Sequence, residues 1–261
     1  MSAPRSFFRT TLDWITTIPT LVAFGATLVV GDVAMRISRL FGPHPMEVTA
    51  GFAQRALIMC FRISGTRITV DRDPDVKRGQ GYIFLSNHQS LFDIPIFGGL
   101  LFSNYPKYVA KRELGKWIPL VSYNLRRGGN AVIDRANRVQ AVQAIKDLGA
   151  ACQERGVSAV MFPEGSRSRD GALKQFRSSG TRALLQSAPE LAVVPTAIDG
   201  SWRLLEHKMM PIPFGTKIRV RFCEPITRAV GESTSEIIAE SRDCIAASLE
   251  QWRTVADGTP A

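Results

Sequence analysis

Short apolar segments alternate with segments of helical periodicity from about residue 66 onward, and this alternation constrains the fold more than any other feature. Strands are predicted at residues 67–70, 81–86, 132–133, 157–162, 191–198 and 217–222. Helices are predicted at residues 94–102, 139–156, 174–187 and 235–252. The pattern indicates an α/β domain in which helices cover a mixed sheet. Functional residues in such domains tend to follow the carboxyl ends of the strands.

The first 64 residues are predicted to form a membrane-associated two-helix hairpin, followed by the α/β domain at 65–261. Trp14 to Gly31 is an 18-residue stretch without a charge. As a helix it would measure about 27 Å, close to the roughly 30 Å hydrocarbon core of a bilayer. Two prolines and a glycine within residues 41–45 break the chain. A buried core helix and a signal peptide are the alternatives for the first segment.

The second segment of the hairpin is predicted to be a basic amphipathic helix. Its apolar residues recur at spacings of three or four, namely Val48, Phe52, Ala56, Met59 and Ile63. Arg55 and Arg62 lie on another side. This pattern is typical of a helix at a membrane surface, and an ordinary surface helix of the main domain is the alternative.

The formal net charge of +10 indicates an anionic partner. Nucleic acid, an anionic membrane surface and a phosphorylated substrate all fit that charge. Hydrophobic residues make up 45% and charged residues 21%, which excludes a disordered chain. The four cysteines are widely spaced, which argues against a zinc site or a disulfide framework.

A candidate acid–base pair follows the strongest predicted strand. His88 lies directly after residues 81–86, and Asp93 lies at the start of the next predicted helix. A carboxylate that holds one imidazole nitrogen leaves the other nitrogen free to act as a base. In the alternative interpretation, Asp93 only caps the helix and His88 is a polar loop residue. No third ligand with suitable spacing supports a metal site.

A second candidate site, residues 162–171, follows another buried strand. Gly165 permits close approach of the backbone, while Ser166, Arg167 and Arg169 offer donors suited to a phosphate. Glu164 precedes them and could form a structural ion pair with the neighbouring arginines. A solvated surface turn is the alternative for the whole segment.

The chain resembles the glycerophospholipid acyltransferase family, in particular its bacterial 1-acylglycerol-3-phosphate acyltransferases. Four blocks in series carry the resemblance, and the first is Asn87-His88 with Asp93. The second block contains Lys111-Arg-Glu-Leu114, Trp117-Ile-Pro119 and residues 129–135. The third block is Phe162–Arg167, and the fourth is Val194-Pro195. They span about residues 82–200. Ser166 stands where many members carry threonine, and residues 122–127 are more basic than is usual in the family.

The resemblance implies an enzyme that moves a fatty acyl group from acyl-CoA or acyl carrier protein to the sn-2 hydroxyl of lysophosphatidate. It implies that His88 and Asp93 are catalytic and that no cofactor or metal is needed. The predicted substrate-binding residues are Lys111, Arg135, Glu164, Gly165, Ser166 and Arg167. The predicted location is a membrane, at the cytoplasmic face of a bacterial inner membrane, and no nucleic-acid partner is expected. The alternatives are another lysolipid acceptor, glycerol 3-phosphate, thioester hydrolysis, and a non-enzymatic membrane or nucleic-acid binder, which would leave His88 with Asp93 unexplained.

Overall fold

The computed structural model describes residues 7–228 and 233–256, and within them the chain forms seven α-helices and seven strands. The helices are α1 (Phe7–Arg39), α2 (Pro43–Cys60), α3 (Asp93–Leu100), α4 (Val121–Arg127), α5 (Arg138–Arg155), α6 (Ser178–Ser187) and α7 (Thr234–Ala256). The strands are β1 (Arg67–Arg72), β2 (Ile83–Ser86), β3 (Lys107–Lys111), β4 (Ala131–Ile133), β5 (Ala159–Met161), β6 (Val193–Asp199) and β7 (Lys217–Phe222). Three short 3₁₀ segments occupy Phe102–Asn104, Arg112–Gly115 and Ser201–Leu205.

The strands form one mixed sheet in the order β1-β7-β6-β2-β5-β3-β4. Strands β2 to β6 are parallel to one another, whereas β7 pairs antiparallel with β6 and parallel with β1. The carboxyl ends of β2, β3, β4, β5 and β6 therefore meet at one edge of the sheet. All four side chains of β2 are buried, as expected for a central strand covered on both faces.

Alternate residues of the central strands face two different helical layers. On one face, Phe84 of β2 and Val160 of β5 pack in a cluster with Phe97 of α3 and Phe61, which directly follows α2. On the other face, the neighbouring strand residues pack against α5 and α6. The N-terminal hairpin and α5 therefore lie on opposite faces of the sheet.

Helix α1 lies along the α/β domain and is fixed to it by polar side chains. Asp13 accepts a hydrogen bond from the amide of Phe214 (2.7 Å), and Thr17 accepts one from the amide of Ile212 (2.8 Å). Near its C-terminal end, Asp32 accepts one from the amide of Leu120 (2.8 Å). The helix thus docks through a polar stripe, with Gly31 and Met35 buried farther along.

The opposite side of α1 exposes large apolar side chains: Ile15, Ile18, Val22, Val29, Val30, Val33 and Ile37. Phe52 and Met59 of α2 are exposed too, so part of the predicted apolar face of α2 stays at the surface. By length and composition, α1 could cross a membrane. The structure also confirms the predicted break, because α1 ends at Arg39 and α2 begins at Pro43.

The predicted fold class is confirmed, although several details differ. Strand β3 and helix α4 were not predicted, and α1 has 33 residues, well beyond the uncharged stretch that the sequence singles out. Helix α6 begins at Ser178, four residues later than predicted. Val139 was expected on the buried face of α5, but it lies in the first turn and is 82% exposed. The boundary at residues 64 and 65 stays a prediction.

Candidate active site

His88 and Asp93 meet at the carboxyl end of β2, where the strand pattern predicted them. The Nδ1 atom of His88 lies 2.8 Å from Oδ2 of Asp93. Since a carboxylate oxygen accepts, Nδ1 carries the hydrogen, and Nε2 is left as the basic nitrogen. The imidazole stacks on the ring of Phe162, with centroids 4.1 Å apart and an interplanar angle of 18°. The side chain is 17% exposed, so the base is held between protein groups but is open to a substrate.

The carboxylate of Asp93 is fully buried and is held by three further donors. Its Oδ2 atom accepts the amides of Gln89 (2.7 Å) and Ser90 (2.9 Å). Its Oδ1 atom accepts the hydroxyl of Ser201 (2.6 Å), in the 3₁₀ segment after β6. Asp93 also begins α3, where a negative charge favours the helix N-terminus. The carboxylate orientation is thus set by groups from two strand ends.

Asn87 fixes the end of β2 against β6. Its side-chain amide donates to the carbonyl of Ile198, and its Oδ1 atom accepts the amide of the same residue, both at 2.8 Å. This two-bond contact mimics strand pairing one residue beyond the ladder, which ends at Ser86 and Thr196. Asn87 therefore brings the loop that carries His88 next to the loop that carries Ser201.

The loop after β5 holds the backbone of His88 from both sides. The amide of His88 donates to Oε1 of Glu164 (3.2 Å), and its carbonyl accepts the amide of Ser168 (2.7 Å). Phe162, from the same loop, supplies the ring beneath the imidazole. The two predicted constellations are thus one hydrogen-bonded unit.

Glu164 is buried and does not form the ion pair that the sequence left open. In the described part of the chain its carboxylate is bonded to the His88 amide rather than to an arginine, and its Oε2 atom is buried without a hydrogen bond. Burial raises the pKa of Glu164 to about 7, although the His88 amide and the nearby Lys174 ammonium oppose the shift. The side chain can therefore carry a proton at neutral pH and offer it to a bound polar group.

Gly165, Ser166 and Arg167 form the outer rim of the site. Gly165 has a φ of +67°, a left-handed conformation that favours glycine at this turn. Ser166 and Arg167 are exposed. Lys174, which the sequence analysis did not single out, donates to the Ser166 hydroxyl (3.3 Å) and to the Arg167 carbonyl (2.7 Å). The rim therefore carries the cations Arg167 and Lys174, and Arg177 packs against Gly165.

Lys111 and Arg135 lie farther along the same edge and are both exposed. Lys111 ends β3, and Arg135 follows β4 by two residues. Strands lie about 4.8 Å apart, so β4 is roughly 14 Å from β2. The structure groups His88, Asp93 and Glu164 in direct contact, whereas it places these two cations one to two strands beyond that group.

A family model described as "Acyltransferase" matches residues 67–199, which make up half of the chain and include every residue of the site described above except Ser201. The chain belongs to the acyltransferase family. The resemblance drawn from the four motifs is therefore confirmed.

Known acyltransferases show how far the likeness extends. A 1-acyl-sn-glycerol-3-phosphate acyltransferase of Limnanthes douglasii is 35% identical over 147 residues, covering 55% of this chain and 50% of that protein. One from Escherichia coli is 26% identical over 134 residues, covering 51% of this chain and 53% of that protein. The chain spans about half the length of the curated relatives it matches.

A solved acyltransferase structure shares the fold over nearly the whole chain. The crystal structure of the 1-acyl-sn-glycerophosphate (LPA) acyltransferase from Thermotoga maritima superposes with a TM-score of 0.72 at 22% identity. The match covers 94% of this chain and 98% of that one, so it includes the N-terminal helices as well as the sheet.

Ser201, like Lys174, is a residue of this acyltransferase site that sequence reasoning missed. It lies in none of the motifs, although it follows a predicted strand at 191–198, and the strand-end rule applies there as well. Gly200 precedes it with a φ of +87° and lies so close to the Lys217 carbonyl that a Cβ would collide with it. A glycine directly after a predicted strand was the available signal.

Proposed function

We propose that this acyltransferase moves a fatty acyl group from a thioester donor to the sn-2 hydroxyl of lysophosphatidate, which yields phosphatidate for phospholipid synthesis. The donor is acyl-CoA or acyl carrier protein. The observation that carries the proposal is the 2.8 Å contact between His88 Nδ1 and Asp93 at the end of β2, beside the cationic rim after β5. Names of relatives from plants and bacteria supply the acceptor.

His88 acts as the general base in the proposed reaction. Its Nε2 atom takes the proton of the acceptor hydroxyl as the oxygen attacks the thioester carbonyl. Asp93 keeps the hydrogen on Nδ1 and stabilises the imidazolium that forms. Catalysis of this kind typically contributes roughly 10²–10⁴-fold to the rate. The imidazolium then returns its proton to the leaving thiolate, so the step needs no covalent acyl-enzyme, cofactor or metal.

The cationic rim binds the phosphate of the acceptor. Arg167 provides a planar pair of donors suited to phosphate oxygens, and Ser166 adds a hydroxyl. Gly165 lets the acceptor approach the backbone, and Glu164 holds the His88 loop and can hydrogen-bond the glycerol part. Lys111 and Arg135 extend the positive surface along the sheet edge and attract the anionic head group.

The enzyme works at a membrane, at the cytoplasmic face of a bacterial inner membrane. Lysophosphatidate carries a long acyl chain and resides in a bilayer. The exposed apolar side of α1 offers a surface that lipid can cover. The docked face of α1 keeps the active site close to that surface.

Transfer of labelled acyl groups to a panel of acceptors tests the proposal. The purified chain is given acyl-CoA or acyl carrier protein with lysophosphatidate, a lyso-aminolipid, glycerol 3-phosphate or no acceptor. We expect labelled phosphatidate as the main product. Main use of another acceptor would reassign the substrate, and thioester hydrolysis that is independent of acceptor would make the protein a thioesterase.

The same panel tests the role of Arg167. Replacing Arg167 by alanine should weaken the use of the phosphorylated acceptor at least roughly tenfold, since hydrogen bonds to charged groups contribute about 1.5–3 kcal/mol. Use of the acyl donor should change little. Arg242→Ala, on the exposed side of α7, is the matched control. Equal losses for phosphorylated and unphosphorylated acceptors would contradict phosphate binding by Arg167.

A further inference from the structure

The connection between β3 and α4, residues 112–120, presents an aromatic side chain to solvent. We call this segment the β3–α4 loop. Trp117 is 95% exposed, the largest exposed fraction among the apolar side chains of the described residues, and Leu114 beside it is 42% exposed. Lys116 and Arg112 flank them and are also exposed. Arg112 is paired with Asp134, which leaves an almost fully exposed tryptophan directly after the lysine, and such a side chain often marks a contact with a partner.

Hydrogen bonds on both sides of Trp117 hold this loop in place. The Ser122 hydroxyl is buried, donates to the Leu114 carbonyl (2.9 Å) and accepts the Ile118 amide (3.0 Å). Arg126 donates to the Gly115 carbonyl (2.8 Å). Trp117 itself adopts a φ of +68°, which is uncommon for a bulky residue and must be maintained by its surroundings. The side chain is therefore held outward by the fold.

The β3–α4 loop packs against the docked side of α1, near the C-terminal end of that helix. The Leu120 amide is bonded to Asp32 of α1, and the Leu120 side chain is buried beside Met35 of the same helix. Val33 and Ile37, neighbours of these two α1 residues, point their apolar side chains outward. The loop is thus adjacent to α1, whose outward side is apolar.

We propose that the β3–α4 loop is a second membrane contact, in which Trp117 enters the interfacial region of an anionic bilayer. The inference rests on the membrane association proposed above. Tryptophan favours the level of the lipid head groups because its ring is apolar and its N–H is polar. Lys116, the residue before Trp117, favours anionic lipid at the same depth. Its charge and the contact of the loop with α1, the proposed membrane helix, favour lipid over a protein partner.

The second contact has a consequence for the acceptor site. Lys111 ends the strand that enters the β3–α4 loop, and Arg135 lies two residues beyond the paired strand β4. With Trp117 in the interface, both cations lie near the head groups. The edge of the sheet that holds the acceptor phosphate is then at the level where lysolipid phosphates lie. Two attachment points also fix the tilt of the domain, which α1 alone leaves free.

Fluorescence quenching tests the contact directly. The full-length protein is added to vesicles of phosphatidylcholine and phosphatidylglycerol whose acyl chains carry bromine near the head group. Subtracting the signal of Trp117→Phe isolates the emission of Trp117 from the other tryptophans. We expect the isolated emission to shift to shorter wavelength and to be quenched. An unquenched, unshifted signal would overturn the proposal, even if the protein transfers acyl groups.

Activity provides the second readout. Trp117→Glu should lower transfer to lysophosphatidate embedded in vesicles by roughly tenfold relative to detergent-dispersed acceptor, because insertion of a charge opposes binding. Val139→Glu is the matched control, since Val139 is 82% exposed on α5, which packs on the opposite face of the sheet. Equal vesicle activities of the two variants would contradict the proposal. A dimer that forms in detergent and depends on Trp117, without quenching in vesicles, would also contradict the proposal. That result would make the loop a contact with a second copy of the chain.

Discussion

At the scale of single residues, the orientation of the His88 imidazole depends on an Asp93 carboxylate that can adopt few conformations. One carboxylate oxygen accepts two backbone amides and the imidazole, while the other accepts the Ser201 hydroxyl. Three of these donors belong to the loop that also carries His88. The imidazole orientation is therefore fixed before any substrate binds, which lowers the cost of reaching the reactive geometry.

Substitution of the dyad should separate catalysis from folding. His88→Ala should abolish acyl transfer with little change in the melting temperature, because His88 lies in a loop. Asp93→Asn should lower turnover by roughly 10²–10⁴-fold, because an amide no longer imposes the required tautomer. Turnover and thermal unfolding measured on the same preparations check this. More than a tenth of wild-type turnover in His88→Ala would contradict the mechanism.

Ser201→Ala should reduce turnover by roughly tenfold, since a hydrogen bond to a charged group contributes about 1.5–3 kcal/mol. The effect should fall on kcat more than on KM, because Ser201 acts through the orientation of Asp93. Ser201→Thr keeps the hydroxyl and should restore most of the activity. A loss in KM alone, or no recovery with threonine, would assign Ser201 a different role.

Glu164 should make the stability of the protein depend on pH. Burial raises the pKa of the folded carboxyl to about 7 from an ordinary value of 4.5, so the folded state binds the extra proton between these values. The free energy of unfolding therefore decreases as the pH rises through that interval. Glu164→Gln should show a smaller difference in melting temperature between pH 4.5 and 8. The exposed Glu154→Gln is the control and should behave like wild type.

At the scale of elements, a buried ionic cluster joins the N-terminal hairpin to the sheet. Glu47 of α2 accepts hydrogen bonds from Lys107 of β3 (2.7 Å) and Arg155 of α5 (2.6 Å). Lys107 is almost fully buried, and burial lowers its pKa although Glu47 opposes the shift. Helix α2 is thus attached to the domain by charge as well as by apolar packing.

Glu47→Ala should destabilise the fold by about 3–5 kcal/mol, because it leaves the Lys107 ammonium buried without its partner. Arg155→Ala should cost much less, since the Arg155 side chain is 41% exposed and water can replace its contacts. Thermal unfolding compares the two variants. Replacing Glu47 and Lys107 together by methionine should recover most of the loss. Equal destabilisation by the two single alanine variants would contradict this explanation.

The cluster also shows why sequence patterns found some elements and not others. Strands with uninterrupted apolar runs, such as residues 81–86 and 191–198, were predicted close to their observed positions. Strand β3 was missed because it begins with Lys107, and nothing local indicates that Glu47 will neutralise a buried lysine sixty residues away. The same reason hides Ser201, whose role depends on Asp93 and not on its neighbours in the chain. The dyad was predictable because both members lie within one loop.

At the scale of the whole molecule, the two sides of α1 have opposite chemistry. The docked side carries Asp13, Thr17 and Asp32, which are bonded to the α/β domain. The uncharged stretch ends at Asp13 and Asp32. A helix length predicted from that stretch alone is therefore shorter than the observed 33 residues. The outward side presents apolar side chains from Ile15 to Ile37, along about 33 Å at a rise of about 1.5 Å per residue.

The intact protein should sediment with membranes and resist extraction by high salt. Salt screens the attraction between basic side chains and anionic lipid, but it does not weaken the burial of apolar surface. Replacing Val22 and Val30 together by lysine should make the protein extractable, whereas Val139→Lys should have no effect. Fractionation at low and high salt measures the difference. Recovery of the unmodified protein in the soluble fraction at low salt would contradict membrane attachment through α1.

The hydrogen bonds between the loop after β5 and the backbone of His88 couple the proposed catalytic rate to the proposed choice of acceptor, two properties that are often tuned separately. A displacement of Glu164 or Ser168 should move the proposed general base as well as the rim proposed to bind the acceptor. Substitutions in that loop that change the range of acceptors should therefore also lower the rate of transfer. Lys111 and Arg135 are exposed and lie outside these hydrogen bonds, so substitutions there should change acceptor preference while leaving His88 in place.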